Sequence, residues 1–505
     1  MSATTRNHLL ITVLLTHLSF AAAATSELAD MAERARWDDV RVMIESGTEV
    51  DAPQGDGTTA LIWAAYYNEP DVARWLLEKG ADAQATSRLG VSALAIAARN
   101  GAGEIVAMLL DAGVDANSPM PDGDTALMLA ARSGNRQAVE ALLEHGAEVD
   151  AVEPVQGETA LMWAAAQNHP DVVRMLAEHG ADIAAVSTSF AWDGFKQVGV
   201  ASYLPRGGLT ALLHAVRENA IEAARELLEL GADPNAANPI GISALRTALA
   251  NDHWDMAKLL LDAGADPNDG ALVEAARTRA WPFVHAANNR PDETDSLAFI
   301  REMLDRGADP HKVPDEPMSM QYWTIGKLRN DPALYIAARE ADFELLDLLV
   351  EYGARADQSI NPEGATLLIA ALGFGPHQLG GGVEAPPREL ELAERMGDAV
   401  LALGAEIDAG RNDGMTALHL AALEGRDDIV RYLIDKGAQI DVKDKSNRLP
   451  IHVAMGVPRV EMPDAPPMPN RPPPVHPSTV ELLQAEMAAA GIEVEPYVAP
   501  APRDK

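Results

Sequence analysis

The chain has 505 residues, a formal net charge of −36 and no cysteine. Disulfides, thiolate metal sites, thioether-linked haem and a lipid-bearing N-terminal cysteine are thereby excluded. Nucleic acid is excluded as an expected partner, because its affinity comes largely from phosphates neutralised by Lys and Arg.

The first element is a short apolar segment. Arg6 supplies a positive start, Leu9 to Phe20 reads LLITVLLTHLSF, and Ala21 to Ala24 offer small-residue cleavage sites. This is the pattern of an export signal over residues 1–24, cut near Ala24, and it makes a periplasmic or secreted location the expectation. The run is too short for a spanning helix of about 20 residues, and no later stretch is expected to cross a membrane.

Beyond it the chain is periodic. Gly47, Gly80, Gly113, Gly146, Gly180, Gly231, Gly264, Gly307, Gly353, Gly404 and Gly437 stand at intervals of 33, 33, 33, 34, 51, 33, 43, 46, 51 and 33 residues. A recurring unit of this length is one supersecondary element that buries its apolar face only against its neighbours. The words around the glycines recur as well: GTTALIWAA (57–65) with WLLEKGAD (75–82), GDTALMLAA (123–131) with ALLEHGAE (141–148), and GETALMWAA (157–165) with MLAEHGAD (175–182). The fullest copy is GMTALHLAALEGRDDIVRYLIDKGAQID (414–441).

Each word has a physical duty. Thr59, Thr125, Thr159, Thr210 and Thr416 stand where a hydroxyl caps the first helix of a unit. Alanine pairs such as Ala64 and Ala65, Ala97 and Ala98, or Ala130 and Ala131 allow close helix approach. Leucine pairs such as Leu76 and Leu77, Leu109 and Leu110, or Leu142 and Leu143 make the apolar stripe of the second helix. The terminal glycine stops that helix by taking φ > 0.

These words resemble the ankyrin family, whose unit reads approximately G-x-T-P-L-H-x-A-A followed by a second helix ending in L-L-x-x-G-A-D. The usual Pro is Ala in most units here, the usual His survives as His419 and His452, and the unit around 271–276 has lost its Thr cap. The resemblance implies an all-α ankyrin repeat solenoid of about eleven helix-turn-helix units, joined by short hairpin loops. A capping helix pair is expected over 25–54, the array over 55–443, and a C-terminal capping repeat with a short tail over 444–505.

Five insertions break the period. Residues 187–207 and 314–330 fall between units; residues 279–296, 373–390 and the Pro-rich 456–478 fall between the two helices of one unit. Phe190, Trp192, Phe195 and Tyr203 in the first either anchor a partner or fold back over a widened junction, and Tyr322 and Trp323 pose the same choice. The glycine-rich GFGPHQLGGGVEAPP (373–387) lacks the ending of a phosphate loop and reads as a loop. The prolines of 458–477 read as an extended spacer or a polyproline ligand.

In the repeat register, the position that follows the alanine pair holds Arg99, Arg132, Arg217, Arg277 and Arg339, with Tyr66 and Tyr67 at the corresponding place in the first full unit. The resemblance places this position on the concave groove. There the arginines either receive a carboxylate-rich partner or pair with acids of adjacent units.

Neither a nucleophile elbow, a zinc helix, a phosphate loop nor an EF-hand occurs in the sequence, so no enzyme, cofactor or metal is expected. The expected role is an exported, monomeric scaffold that binds an unidentified client protein through groove and loops. Two alternatives stay open: a secreted effector or toxin-neutralising protein of immunity type, and a structural spacer of the cell envelope.

Overall fold

A computed structural model of the chain describes residues 27–118, 120, 122–189, 207–280, 294–314, 331–358, 364–374, 378–379, 383–384, 389–458 and 473–498. Among these residues the chain forms twelve helix pairs, each a first (A) helix followed by an antiparallel second (B) helix. They fall into two compact units, one made of the described residues through Asp233 and the other of those from Pro234 onward.

In the first unit the pairs are Glu27–Glu33 with Trp37–Glu45, Ala60–Tyr66 with Pro70–Glu78, Ala93–Asn100 with Gly103–Asp111, Ala126–Ser133 with Arg136–Glu144, Ala160–Ala166 with Pro170–Glu178, and Ala211–Arg217 with Ile221–Glu229. In the second they are Ala244–Ala250 with Trp254–Asp262, Ala271–Ala280 with Ser296–Asp305, Ala333–Glu340 with Phe343–Glu351, Leu367–Ala371 with Leu390–Ala402, Ala417–Glu424 with Asp427–Asp435, and Pro450–Ala454 with Pro477–Ala489. Within the first unit A helices pack on the A helices of neighbouring pairs and B on B. The only strands among the described residues are Gln378–Leu379 and Val383–Glu384, paired antiparallel.

The cap residues act as the sequence implies. The hydroxyls of Thr59, Thr125, Thr159, Thr210 and Thr416 each accept from the amide three residues on, at 3.2–3.5 Å. Ser92, Ser243 and Thr366 do the same for three more A helices. The helix without a Thr cap, Ala271–Ala280, is served by Asp269, whose carboxylate accepts from the Ala271 amide at 2.9 Å. Gly270 precedes it at φ +97°, and a Cβ there would stand 2.6 Å from the Pro314 ring.

Packing refines the reading of the core. The alanine pairs have no accessible surface, from Ala64 and Ala65 to Ala421 and Ala422. In the B helices the first leucine of each pair is buried, while the second varies and is buried at Leu110 and Leu261. Leu76 and Leu142 are inaccessible, whereas Leu77 and Leu143 are half-buried.

A side-chain staple between neighbouring pairs escapes sequence reading. At six of the eleven helix-ending glycines the residue four places on is an Asp or Asn whose side chain turns back to accept an amide of the next pair. Asp51 accepts from Asp82, Asn117 from Glu148, Asp150 from Asp182, Asn235 from Asp266, Asn268 from Asp309 and Asp408 from Gln439, at 2.7–3.0 Å. Where the residue is Asn, its amide also reaches the glycine carbonyl of that next pair, as Asn117 does to Gly146 at 2.9 Å and Asn268 to Gly307 at 3.0 Å. Otherwise exposed loop backbone is thereby satisfied on both edges.

The helix-ending glycines face open space but hold φ between +79° and +102°. Substitution there costs backbone strain rather than a clash. Gly146→Ala is expected to lower stability by about 1 kcal/mol, read as the urea midpoint, with Gly55→Ala, at a Gly outside the positive-φ set, changing it by less than about 0.5 kcal/mol.

Candidate functional site on the A-helix face

Three register positions line the A-helix face of the first unit: the residue just before each cap, the fourth residue after it and the seventh after it. Because the repeat holds neighbouring A helices in one register, residues about 33 positions apart become neighbours. Asp124 and Glu158 occupy the first position, Trp163 and His214 the second, and Arg99, Arg132 and Arg217 the third.

Their arrangement alternates in charge. Asp124 lies within electrostatic reach of Arg99 and Arg132, and Glu158 of Arg132 and Arg217. The guanidinium of Arg132 stands over the Trp163 ring, 5.5 Å from its centroid, while Trp163 Nε1 donates to Glu158 at 2.8 Å. Arg217 bonds Glu218 at 3.0 Å. Burial raises both Asp124 and Glu158 above the ordinary carboxyl range, with Asp122 and Glu153 adding to the respective shifts and the arginines opposing them. Arg99 and Arg132 are exposed and make no ion pair among the described residues.

His214 closes the inner side of this group. Only 3% of its side chain is accessible, and its Nε2 lies 3.7 Å from Glu158 Oε1, beyond hydrogen-bond distance. Burial, followed by the Arg217 charge, lowers its pKa to about 3. The ring is neutral at physiological pH.

The arginines of the second unit are differently placed. Arg277 donates to the buried Glu274 at 2.7 Å, and Glu274 also faces the buried Arg246 at 3.5 Å. Arg339 bonds Asp331 and Glu340, each at 2.7 Å. Arg279, just beyond Arg277, bonds Asp342 at 2.7 Å and Glu344 at 3.0 Å. The five arginines singled out by register therefore divide. Arg99, Arg132 and Arg217 belong to an exposed, charge-alternating face, while Arg277 and Arg339 are partners in internal ion pairs. A uniform basic track is not what the chain builds.

Tyr66 and Tyr67 lie at the N-terminal end of the first unit, 39% and 40% exposed. Phe190, Trp192, Phe195, Tyr203, Tyr322 and Trp323 fall outside the described residues. Sequence reasoning passed over Asp124, Glu158, Trp163 and His214. The available signal was the acid placed directly before the capping Thr in two successive units, Asp124 before Thr125 and Glu158 before Thr159.

His419 and His452, retained from the repeat pattern, are structural bridges. Thr416 N–H donates to His419 Nδ1 at 3.2 Å, and Nε2 reaches the Arg448 carbonyl at 3.0 Å. His452 likewise joins the Leu449 amide at 3.2 Å to the Glu495 carbonyl at 2.8 Å. Among the described residues no group of three or more His, Asp or Glu is arranged to hold a metal ion, and no helix is long and apolar enough to cross a membrane.

Paired helices repeated in register, with a polar face built from recurring positions, define a helical-repeat solenoid. A family model described as ankyrin repeats (three copies) matches residues 28–120, 94–187, 196–271 and 392–460, and the chain belongs to the ankyrin repeat family. Ankyrin repeats are protein-interaction modules, in general without catalytic function. The chain is similar to the E3 ubiquitin-protein ligase KEG of Arabidopsis thaliana, 27% identical over 184 residues, which cover 31% of this chain and 11% of that protein. It is also similar to the human neurogenic locus notch homolog protein 2, 30% identical over 170 residues, covering 30% of this chain and 6% of that one. The matched region thus spans about a tenth or less of the curated relatives. The solved ankyrin repeat domain of human ASB11 aligns with a TM-score of 0.40 and 24% identity, over 48% of this chain and 98% of that one.

Two measurements follow. Arg339→Ala leaves the buried Asp331 without its guanidinium and is expected to cost about 2–3 kcal/mol in chemical denaturation, while Arg99→Ala costs less than about 0.5 kcal/mol. For His214 the unfolded chain binds a proton at about pH 6.5 and the folded chain only at about 3, so its contribution is intact above pH 6.5 and is lost as the pH falls toward 3. Between pH 7 and pH 4 this loss is expected to be on the order of 2–3 kcal/mol. The stability profile of His214→Gln should be flatter by that amount, and profiles of equal slope would refute the assignment.

Proposed function

We propose that the chain is an exported, non-catalytic scaffold that captures a client protein on the A-helix groove of its first unit and on adjoining inter-repeat loops. The observation that carries this is the pair of exposed arginines, Arg99 and Arg132, held beside the half-buried Asp124 without an ion-pair partner of their own among the described residues. A client presenting carboxylates to the arginines and donors to Asp124 and Glu158 matches that alternation. Such a pattern fixes register and partner choice more than raw affinity. The internally bonded Arg277 and Arg339 leave the second unit's arginines less suited to the task.

Export rests on the segment Arg6 to Ala24, and the proposed location is the periplasm or the extracellular space. N-terminal sequencing of the mature protein tests it: a start near residue 25 supports export, and an intact Met1 opposes it. In this reading the scaffold is monomeric by itself and takes up neither nucleic acid nor cofactor.

Capture of exported proteins on immobilised wild type, beside a variant carrying Arg99→Glu, Arg132→Glu and Arg217→Glu, tests the groove. The expected result is one stoichiometric client on the wild type, reduced at least tenfold on the variant. If the client persists on the variant but disappears when 187–207 is deleted, the loop insertion holds it instead. Persistence through both changes would sink both surfaces.

A further inference from the structure

Four aromatic rings gather on the first two helix pairs. Trp63 meets Tyr66 at 5.5 Å and Tyr67 at 6.1 Å between centroids, Tyr66 meets Tyr67 at 5.1 Å, and Trp37 meets Tyr67 at 6.3 Å. Trp63 is buried and both tyrosines are about two-fifths exposed, so a fixed base presents ring surface to solvent. Three of the four contacts are edge-to-face, the geometry that locks aromatic pairs against each other.

Two carboxylates are held at the same place. Trp63 Nε1 donates to Gln54 Oε1 at 3.0 Å, and Gln54 Nε2 donates in turn to Asp30 at 3.1 Å and to Glu33 at 2.8 Å. The Tyr67 hydroxyl donates to the Glu33 carbonyl oxygen at 2.6 Å. Burial, the neighbouring Tyr66 and the charge of Glu33 raise the Tyr67 phenol, so it remains a neutral donor. Neither Asp30 nor Glu33 has an ion-pair partner among the described residues.

Other rings of the chain supply an internal comparison. Arg41 and Lys79 stand over Trp75 at 4.8 and 5.8 Å, Arg132 over Trp163 at 5.5 Å, and Arg301 over Tyr352 at 5.9 Å. Arg395 covers Phe343 at 4.8 Å and Lys436 covers Tyr432 at 5.5 Å. Among the described residues no Lys or Arg stands over Trp37, Trp63, Tyr66 or Tyr67. This cluster therefore has the ring faces and the carboxylates of a cation site but, among the described residues, no cation.

We infer that the cluster of Trp37, Trp63, Tyr66 and Tyr67 with Asp30 and Glu33 seats an arginine or lysine side chain of the client protein. Ring faces carry negative charge density that attracts a guanidinium or ammonium, and the carboxylates neutralise it. The net charge of −36 draws a basic segment toward the chain and repels an acidic one. Arginine fits better than lysine, because its flat guanidinium stacks on a ring while donating two bonds to a carboxylate. The inference rests on the scaffold reading and adds the partner's chemistry at one end of the groove.

The test uses the full chain and a singly charged probe, so that the overall acidity does not dominate. Acetyl-Gly-Ser-Arg-Ser-Gly-amide, its lysine counterpart and its neutral citrulline counterpart are titrated while the tryptophan indole NMR signals are followed. Saturable movement of the Trp37 and Trp63 signals with arginine, weaker with lysine and absent with citrulline, is expected. Tyr66→Ala should weaken binding about threefold to thirtyfold. Asp30→Asn with Glu33→Gln should weaken it comparably while leaving every ring in place. Thermal melts of each variant separate loss of binding from loss of fold. Equal shifts with citrulline, or unchanged affinity in both variants, would overturn the inference. Where residues 1–24 are retained, movement of the same signals in Arg6→Gln with no peptide present would overturn it too, by assigning the seat to the chain's own N-terminal segment. Client capture that survives Tyr66→Ala but not the triple arginine change would remove this seat and leave the groove standing.

Discussion

Within the first unit successive A helices approach one another as closely as a methyl group allows, and almost every other feature of that unit depends on the spacing. The alanine pairs at the contact have no accessible surface, so a larger side chain at any of them has nowhere to go without pushing the pairs apart. Close approach makes the register of one helix the register of the next. That is why Asp124, Arg132, Glu158, Trp163 and His214, spread over some ninety residues of chain, form one small face. It is also why the turns close in a fixed geometry, with glycine at positive φ and, at six of them, an Asx side chain tying the loop to its neighbour.

The same scaffold treats its charges in two ways. In the second unit the buried Glu274 lies between the buried Arg246 and the largely buried Arg277, so its carboxylate offsets both guanidiniums and they offset it. In the first unit the arginines stay at the surface and the acids between them are only half-buried, which leaves hydrogen-bonding capacity for a partner. Histidine shows a parallel division. His419 and His452 join amide to carbonyl across loops, whereas His214 is buried beside an acid that it does not reach. The first arrangement adds stability through completed bonds; the second makes stability depend on pH.

Much of the fold was legible because its causes are local and repeated. A Thr at the start of a helix, an Ala pair in its middle and a Gly at the end of the next each act through atoms within a few residues, and the glycine's eleven occurrences make the period unmistakable. The twelfth pair, Pro450–Ala454 with Pro477–Ala489, is terminated by Gly491, which lies outside the 33- to 51-residue rhythm because of the insertion within the pair. The staple by Asp51, Asn117 and their equivalents was missed because its partner amide lies about 31 residues away, where no local rule applies.

The sequence by itself determined the repeat, the Thr caps and the register position shared by Arg99, Arg132 and Arg217, but not Asp124, Glu158, Trp163 or His214 beside them, since periodicity and capping need only neighbours along the chain. It could not determine which of those residues are free to act. Arg99 and Arg339 occupy the same register position, yet one is exposed and the other is bound to Asp331 and Glu340. Likewise Tyr66 and Tyr67 became part of a cation-binding arrangement only when Gln54 brought Asp30 and Glu33 beside them. Pairing of charges is a through-space property of distance and burial, and only the tertiary structure sets those.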